Sequence, residues 1–442
     1  MGMGESCCSQ RAYPQRMNTR FAFGKHGVDV AVPGGFDCHV AHTRSAPALG
    51  GVDAAIEAAL DGPIGCESLS RLAAGKKTAA ISVCDITRPV PNRITLPPLL
   101  ERLHEAGIPV EGITILIATG LHRAATKNEL DVILGPEVAH KYRVASHDAR
   151  DFAAHRALGT TRRGTPVYID ERFMAADLHI TLGFVEQHLM LGFSGGRKLV
   201  APGQAAQETI KVIHSPRFMR EPLATEGSVE GNPLHDELLE IAAMARHDFI
   251  LDVTLTRERE ISGVFAGHAV KAHAAAVDFL EMTSLVTIPA PADAVITSAA
   301  GYPLDLTFYQ TVKGLTAAQH IVKPGGRILV LGECAEGIGS PEFARMLEAY
   351  PGHAAFLDQI RDTRVEVDQW QLERLALVGI KHELFFYTPG VPAAQLGSLA
   401  PRAFNTLDQA IAALLDGLPA GALVVLVPEG PYTYARPAPA FA

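Results

Sequence analysis

From residue 78 onward, short apolar runs alternate with stretches whose apolar positions recur every three or four residues. "TAAISVCDI" (78–86) is an unbroken run of strand length, and "LPPLLERLHEAG" (96–107) has helical spacing. "ITILIATG" (113–120) is a second strand pattern, followed by a helical one through "KNELDVILGPEVAHKY" (127–142). "HITLGFVEQ" (179–187) and "GQAAQETIKVIH" (203–214) repeat the alternation, and "FILDVTLTREREISGVFAGH" (249–268) has the form of a hairpin. "TSLVTIPAPA" (283–292) reads as a connector. A second set follows: a strand through "ADAVITSAAG" (292–301), a helix around "TFYQTVKGLTAAQHI" (307–321), and strands in "GGRILVLGE" (325–333) and "ALVVLVPEG" (422–430).

Strands that alternate with helices predict βαβ units and parallel sheets. The expected fold class is therefore α/β: two α/β domains with mainly parallel sheets and a cleft between them. The first is expected over residues 17–285 and the second, Rossmann-like, over 290–429, with the tail from about 430 to 442 returning to the first. In such sheets ligands bind beyond the carboxyl ends of the strands. "CDITRP", "ATGLHR" and "VEQHLMLGFSGGRK" fall there.

Composition narrows the picture. A chain of 442 residues exceeds one ordinary core, so two domains are expected. A net charge of −9 argues against a nucleic-acid surface and against general attraction to anionic lipid. No apolar run approaches the roughly 18 residues of a spanning helix. The six cysteines, Cys7, Cys8, Cys38, Cys66, Cys84 and Cys334, form no C-x-x-C pair. Their scatter fits a reducing cytoplasm better than a disulfide framework. The opening "MGMGESCCSQ" formally matches a myristoylation pattern from Gly2 to Ser6, but ordered-looking sequence begins only near Met17, and a ragged start is the plainer reading.

Several side chains at the strand ends can carry chemistry. Arg88 is a planar donor suited to a carboxylate or phosphate, or simply to a local pair with Asp85. His122 follows Gly120 at the next strand end, where a lone histidine is more often structural. "GFSGGRK" is neither a Walker A loop nor a Rossmann turn, yet its serine and glycines can present backbone N–H groups to an anion beside Lys198. Lys198 itself suits a covalent link or a phosphate contact. His214, near a helix C-terminus, is either a dipole-facing cation or a metal ligand. No histidine or carboxylate stands three or four residues from it to complete a protein-only metal site. Gln310 and Lys313 share one helical face and together suit a carboxylate.

Taken in order, "CDITRP", "ATGLHR", "FVEQHLMLGFSGGRKLVAPG", "IHSP" and "YQTVKG" resemble the nickel-pincer lactate racemase family. The motifs run from about Ala79 to Gly314, with His188 ten residues before Lys198 and His214 sixteen after it. The resemblance implies a pyridinium-3,5-bisthiocarboxylic acid mononucleotide whose nickel is held by two sulfurs and one ring carbon of the cofactor plus one protein histidine. It implies that His214 is that nickel ligand and that Lys198 is covalently joined to the cofactor. It implies that His122 and His188 are the paired acid/base residues. Asp85, Thr87 and Arg88 would contact the cofactor, Arg88 also the substrate, and Tyr309, Gln310 and Lys313 the substrate. Trp370, the only tryptophan, resembles a family aromatic beside the cofactor. Leu189-Met190-Leu191 and Phe308-Tyr309 depart from the expected pattern and bear on the substrate.

The implied reaction is racemisation or epimerisation of a short 2-hydroxy acid by hydride abstraction and return. Proton exchange alone is insufficient: general acid/base help is about 10²–10⁴-fold, or roughly 3–6 kcal/mol, against the roughly 8–23 kcal/mol of enzymatic acceleration. A hydride removed from a 2-hydroxy acid leaves a stable keto acid that can receive it on either face, and the cofactor carries that step. Implied partners are a small 2-hydroxy carboxylate (lactate, malate or a sugar acid such as gluconate) and the enzymes that make the cofactor, with neither nucleic acid nor membrane. A nicotinamide-dependent dehydrogenase is a rival, but no Gly-x-Gly-x-x-Gly turn is properly placed. A non-catalytic nickel-cofactor carrier would need Lys198 and His214 but not both His122 and His188.

Overall fold

The computed structural model describes residues 16–438. The Gly2–Ser6 pattern, Cys7, Cys8 and the last four residues of the tail lie outside them. Two sheets organise the rest. The first has six strands in the spatial order Ile261–Gly267, Phe249–Leu255, Leu178–Phe184, Ala79–Cys84, Ile113–Ala118 and Arg143–Ser146. All neighbours are parallel except the edge pair Phe249–Leu255 and Ile261–Gly267, which form the expected hairpin. The second sheet has five strands, all parallel: Glu383–Tyr387, Val322–Leu331, Ala292–Ser298, Leu423–Val427 and Asp37–Val40. The α/β class with largely parallel sheets thus holds.

The apolar runs explain themselves. A parallel strand covered by helices on both faces needs apolar side chains at every position rather than at alternate ones. All seven residues of Leu178–Phe184 are buried. Ile81, Val83 and Ile180 pack on one face with Leu96, Leu99 and Leu103 of the helix Asn92–Glu105. Each such side chain contributes roughly 1.5–3 kcal/mol when fully buried. Val295, Ile328 and Val330 do the same in the second sheet against Val312 and Leu315 of the helix Phe308–Ala318.

Four expectations need adjustment. The helix over 127–142 is broken in two, Lys127–Leu134 and Pro136–Lys141, because Gly135 takes φ +84° and Pro136 cannot continue the hydrogen-bond ladder. The helix over 203–214 is only Gln207–Ile213, its first residues being turns. The connector near 283–292 contains a strand, Leu285–Ile288, which pairs in parallel with Tyr434–Pro437 of the tail. The tail also touches the first body: Phe193 and Tyr434 meet edge to face at 6.2 Å, and an Arg436 N–H donates to the Glu226 carbonyl at 2.7 Å. The start of the chain differs most. Residues from 17 on were expected in the first body, yet Asp37–Val40 is an edge strand of the second sheet, in register Leu423↔Asp37. Phe21, Val30 and Val32 of the hairpin before it bury themselves against Ala294, Ile296 and Leu329, because the apolar face available to them is that of the second sheet.

The two bodies are pinned together by buried polar contacts. Arg220 Nε donates to Glu373 Oε1 at 2.7 Å, Arg374 donates to the Ala224 carbonyl at 2.7 Å, and His320 Nε2 lies 2.6 Å from Glu226 Oε2. Among the described residues no helix is long and apolar enough to cross a membrane.

A chain ending at Thr433 should keep both sheets but lose the cover over Leu285–Ile288 and the loop at Glu226. Hydrogen exchange followed by mass spectrometry should show faster exchange in both segments. Unchanged exchange there would mean that the tail strand contributes nothing to their order.

Candidate active site

Three neighbouring strands of the first sheet, Leu178–Phe184, Ala79–Cys84 and Ile113–Ala118, deliver their carboxyl ends to one cleft. Asp85, Thr87 and Arg88 follow the second, His122 the third, and His188 and Lys198 the first. His214 ends the helix Gln207–Ile213. The second body faces them with Tyr309, Gln310 and Lys313 on the helix Phe308–Ala318 and with Trp370 at the start of the helix Gln369–Gly379. All eleven expected residues line this one cleft, which holds about 1190 Å³ including its open mouth.

His188 sits on a tight hairpin in which Gln187–His188 pairs with Gly192–Phe193. Gly192 takes φ +73°, and a Cβ there would lie 2.3 Å from the Ser228 carbonyl oxygen, so no other residue fits. Asn232, the N-cap of the helix Pro233–Met244, donates to the Met190 carbonyl at 2.8 Å and ties the hairpin down.

Three of the five N–H groups of the "SGGRK" bend are already taken within the fold. Asp252 Oδ2 accepts the Gly196 N–H at 2.8 Å, the Glu186 carbonyl takes the Ser194 N–H at 2.8 Å, and the Gly195 carbonyl takes the Lys198 N–H at 3.1 Å. The bend is wrapped around Arg197, whose side chain is buried. Its guanidinium donates to the carbonyls of Phe193 at 2.9 Å, Leu191 at 3.1 Å, and Ser194 and Gly195 at 3.4 Å, and it meets His273 Nε2 at 2.7 Å. Lys198 is thereby held at the cleft wall on a single helical turn, Gly196–Leu199.

Charge is concentrated here. Arg88 pairs with Glu186 at 3.3 Å, both largely shielded. Burial, then the positive charge of Arg88, holds the Lys198 ammonium well below the usual lysine range. Lys313 is lowered for the same reasons, with Lys198 adding to the repulsion. An anion entering the cleft therefore meets the Arg88 guanidinium and two lysines whose charged forms its own charge would stabilise. On the opposite side, Asp85 Oδ2 lies 2.7 Å from His122 Nδ1, and Thr87 donates to Oδ1 at 2.7 Å. Burial would raise Asp85, but the His122 ring, Thr87 and Arg88 outweigh it and bring the carboxyl down to about 2.

His214 is not a cation facing the helix dipole. Burial brings it down to about 4, so the ring is neutral at pH 7. Its Nδ1 lies 2.8 Å from the Ile210 carbonyl; only an N–H can bridge that contact, which leaves Nε2 with a free lone pair. Trp370 packs on it with ring centroids 4.6 Å apart. Among the described residues no three His, Cys, Asp or Glu side chains group as a metal site. A metal at His214 would thus take its other donors from a ligand, which fits a cofactor that brings its own.

Sequence reasoning missed Asp368, Cys84 and Glu186, which also belong to this site. Asp368 lines the cleft with φ +65°, accepts the Ser340 hydroxyl at 2.5 Å and bonds to Tyr309, whose hydroxyl in turn accepts the Trp370 Nε1–H at 2.9 Å. No motif marks it; only its place two residues before Trp370 hints at the cleft.

Two outcomes follow from this geometry. Arg197→Met should cost about 3–5 kcal/mol in urea unfolding, since the buried carbonyls of the bend lose their donors; a loss under about 1 kcal/mol would contradict the clamp. Because the fold favours the neutral amine of Lys198, an amine-directed reagent at neutral pH should modify Lys198 faster than surface lysines, as read by peptide mass mapping. Equal or slower labelling would show that its ammonium is not destabilised.

Residues 23–227 match the family model for the lactate racemase N-terminal domain, and residues 287–432 that for the lactate racemase C-terminal domain. The chain is 38% identical over 337 residues to the lactate racemase of Thermoanaerobacterium thermosaccharolyticum, covering 75% of this chain and 78% of that protein. It is 35% identical over 379 residues to the lactate racemase of Lactiplantibacillus plantarum, covering 85% and 89%. The lactate racemase apoprotein structure from T. thermosaccharolyticum superposes with a TM-score of 0.85 at 31% identity, covering 95% of this chain and 100% of that one. With both of its halves matched and its relatives covered over most of their length, the chain belongs to the lactate racemase family, a family of isomerases.

Proposed function

We propose that the protein racemises or epimerises a short 2-hydroxy acid, using a covalently bound nickel-pincer nucleotide. The observation that carries this reading is the pairing of a single neutral imidazole, His214, with a destabilised lysine, Lys198, in one cleft. When bound, the cofactor supplies reversible two-electron oxidation at the substrate's C2, which no side chain of this protein can perform. Lys198 offers the amine for the covalent link, His214 Nε2 the metal donor, and Trp370 an apolar wall beside it. Arg88, Gln310 and Lys313 bind the substrate carboxylate and fix its orientation, with Tyr309 shaping the pocket. His122 and His188 take the hydroxyl proton from one enantiomer and return it to the other. Lactate is the first substrate to try, because it gives the relatives their name; malate and sugar acids such as gluconate belong in the same screen. The enzymes that build the cofactor are the partners this reading requires.

Protein produced together with those enzymes should gain mass at Lys198, hold about one nickel per chain and interconvert the enantiomers of a 2-hydroxy acid. Nickel-replete protein that interconverts none of the tested acids would overturn the reading; active protein unmodified at Lys198 would remove the covalent link alone. His214→Ala should lose nickel while the organic adduct persists. His122→Ala and His188→Ala should each slow turnover in both directions by about 10²–10⁴-fold with nickel retained. Near-normal turnover in either variant would reduce the mechanism to one histidine.

A further inference from the structure

The two histidines meet their surroundings in opposite ways. His122 Nδ1 faces Asp85 Oδ2 at 2.7 Å. An ionised carboxylate only accepts, so Nδ1 carries a proton, and in the neutral ring the lone pair is on Nε2. Asp85 is itself fixed by the Thr87 hydroxyl at 2.7 Å and the Thr87 N–H at 3.2 Å. His188 Nδ1 instead faces two backbone donors, the N–H groups of Leu191 at 3.3 Å and Met190 at 3.4 Å. A backbone N–H only donates, so Nδ1 holds the lone pair and the proton of the neutral ring is on Nε2. These donors come from the turn of the 187–193 hairpin, which the Asn232 contact and the Arg197 clamp hold in shape. Neither Nε2 has a hydrogen-bond partner among the described residues, and both rings line the cleft.

We propose that the resting protein holds these two histidines in opposite tautomers, with Asp85 positioning His122 to offer a lone pair to the cleft and the Met190–Leu191 backbone positioning His188 to offer an N–H. Burial and the surrounding Lys198, Arg88, Lys313 and Arg197 keep His188 from charging, which preserves that arrangement. The inference rests on the reading of both rings as proton-handling groups. It adds that they are not interchangeable at the start of a cycle. A hydroxyl facing His122 can give up its proton at once, whereas one facing His188 meets a donor.

Nitrogen-15 NMR of ring-labelled histidine in the full chain tests this without cofactor or turnover. Bare and protonated ring nitrogens have well separated shifts, and His122→Gln and His188→Gln assign the signals. At the alkaline end of the range the fold tolerates, His122 should show a protonated Nδ1 and His188 a protonated Nε2. In Asp85→Asn the His122 signals should move towards the other tautomer while those of His188 stay in place. A protonated Nδ1 on His188, one shared tautomer for both rings, or His122 signals unmoved in Asp85→Asn would each overturn the proposal. If Asp85→Asn does not fold, the wild-type spectrum alone decides. A protein that shows opposite tautomers but racemises no hydroxy acid when loaded would leave this assignment standing and remove only the functional reading.

Discussion

The site depends on one buried guanidinium. Arg197 lies under the loop that joins His188 to Lys198 and gathers the carbonyls of Leu191, Phe193, Ser194 and Gly195 around itself. A guanidinium has five N–H donors in a fixed plane and no acceptor, so it can organise a ring of carbonyl oxygens that a lysine, with its single point of charge, cannot. The cost is a cation deep in the protein: burial brings Arg197 down to about 9, and Asp252 only partly offsets it. Asp252 in turn holds the Gly196 N–H, so the backbone is gripped from both its donor and its acceptor sides. Without that grip the hairpin and the lysine turn would be two independent loops.

The second body completes the cleft with the opposite kind of support. Tyr309, Trp370 and Asp368 form a chain of side-chain hydrogen bonds, and Gln371 donates to the Tyr309 carbonyl at 2.8 Å. The aromatic wall over His214 is therefore fixed by polar contacts behind it rather than by close packing alone. Lys313 reaches the same space from the helix that packs on the second sheet, so this cluster of basic groups exists only when both bodies are in place. The interbody contacts of Arg220, Arg374 and His320 act on the electrostatics of the cleft through this dependence.

Much of this was legible in the sequence because periodicity and strand-end position are local properties. Continuous apolar runs such as "AAISVC" identified buried parallel strands, and the residues just past them were the ones that reach the cleft. The break at Gly135 was missed because helical periodicity continues across it. The function of Arg197 was invisible: in sequence it is one more basic residue in a glycine-rich bend, and only three-dimensional closure shows that the bend turns inward to hold it. Asp368 was missed for a related reason, since its place in the cleft comes from a left-handed backbone turn before a helix. The strand Asp37–Val40 is too short for its alternation to say which sheet it joins.

That short strand has a bearing on how the chain is made. Leu423–Val427 lies in the second sheet between Ala292–Ser298 and Asp37–Val40, so an early strand waits for one of the last. During synthesis the strand Asp37–Val40 leaves the ribosome long before the neighbour that holds it exists. The hairpin at the start of the chain must therefore pass most of translation with its apolar face uncovered, or covered by something else. The first sheet has no such debt, because its strands all lie between 79 and 267. Nascent chains of this protein should then carry a finished catalytic floor and an unfinished roof, with the beginning of the chain as the part that most needs a chaperone.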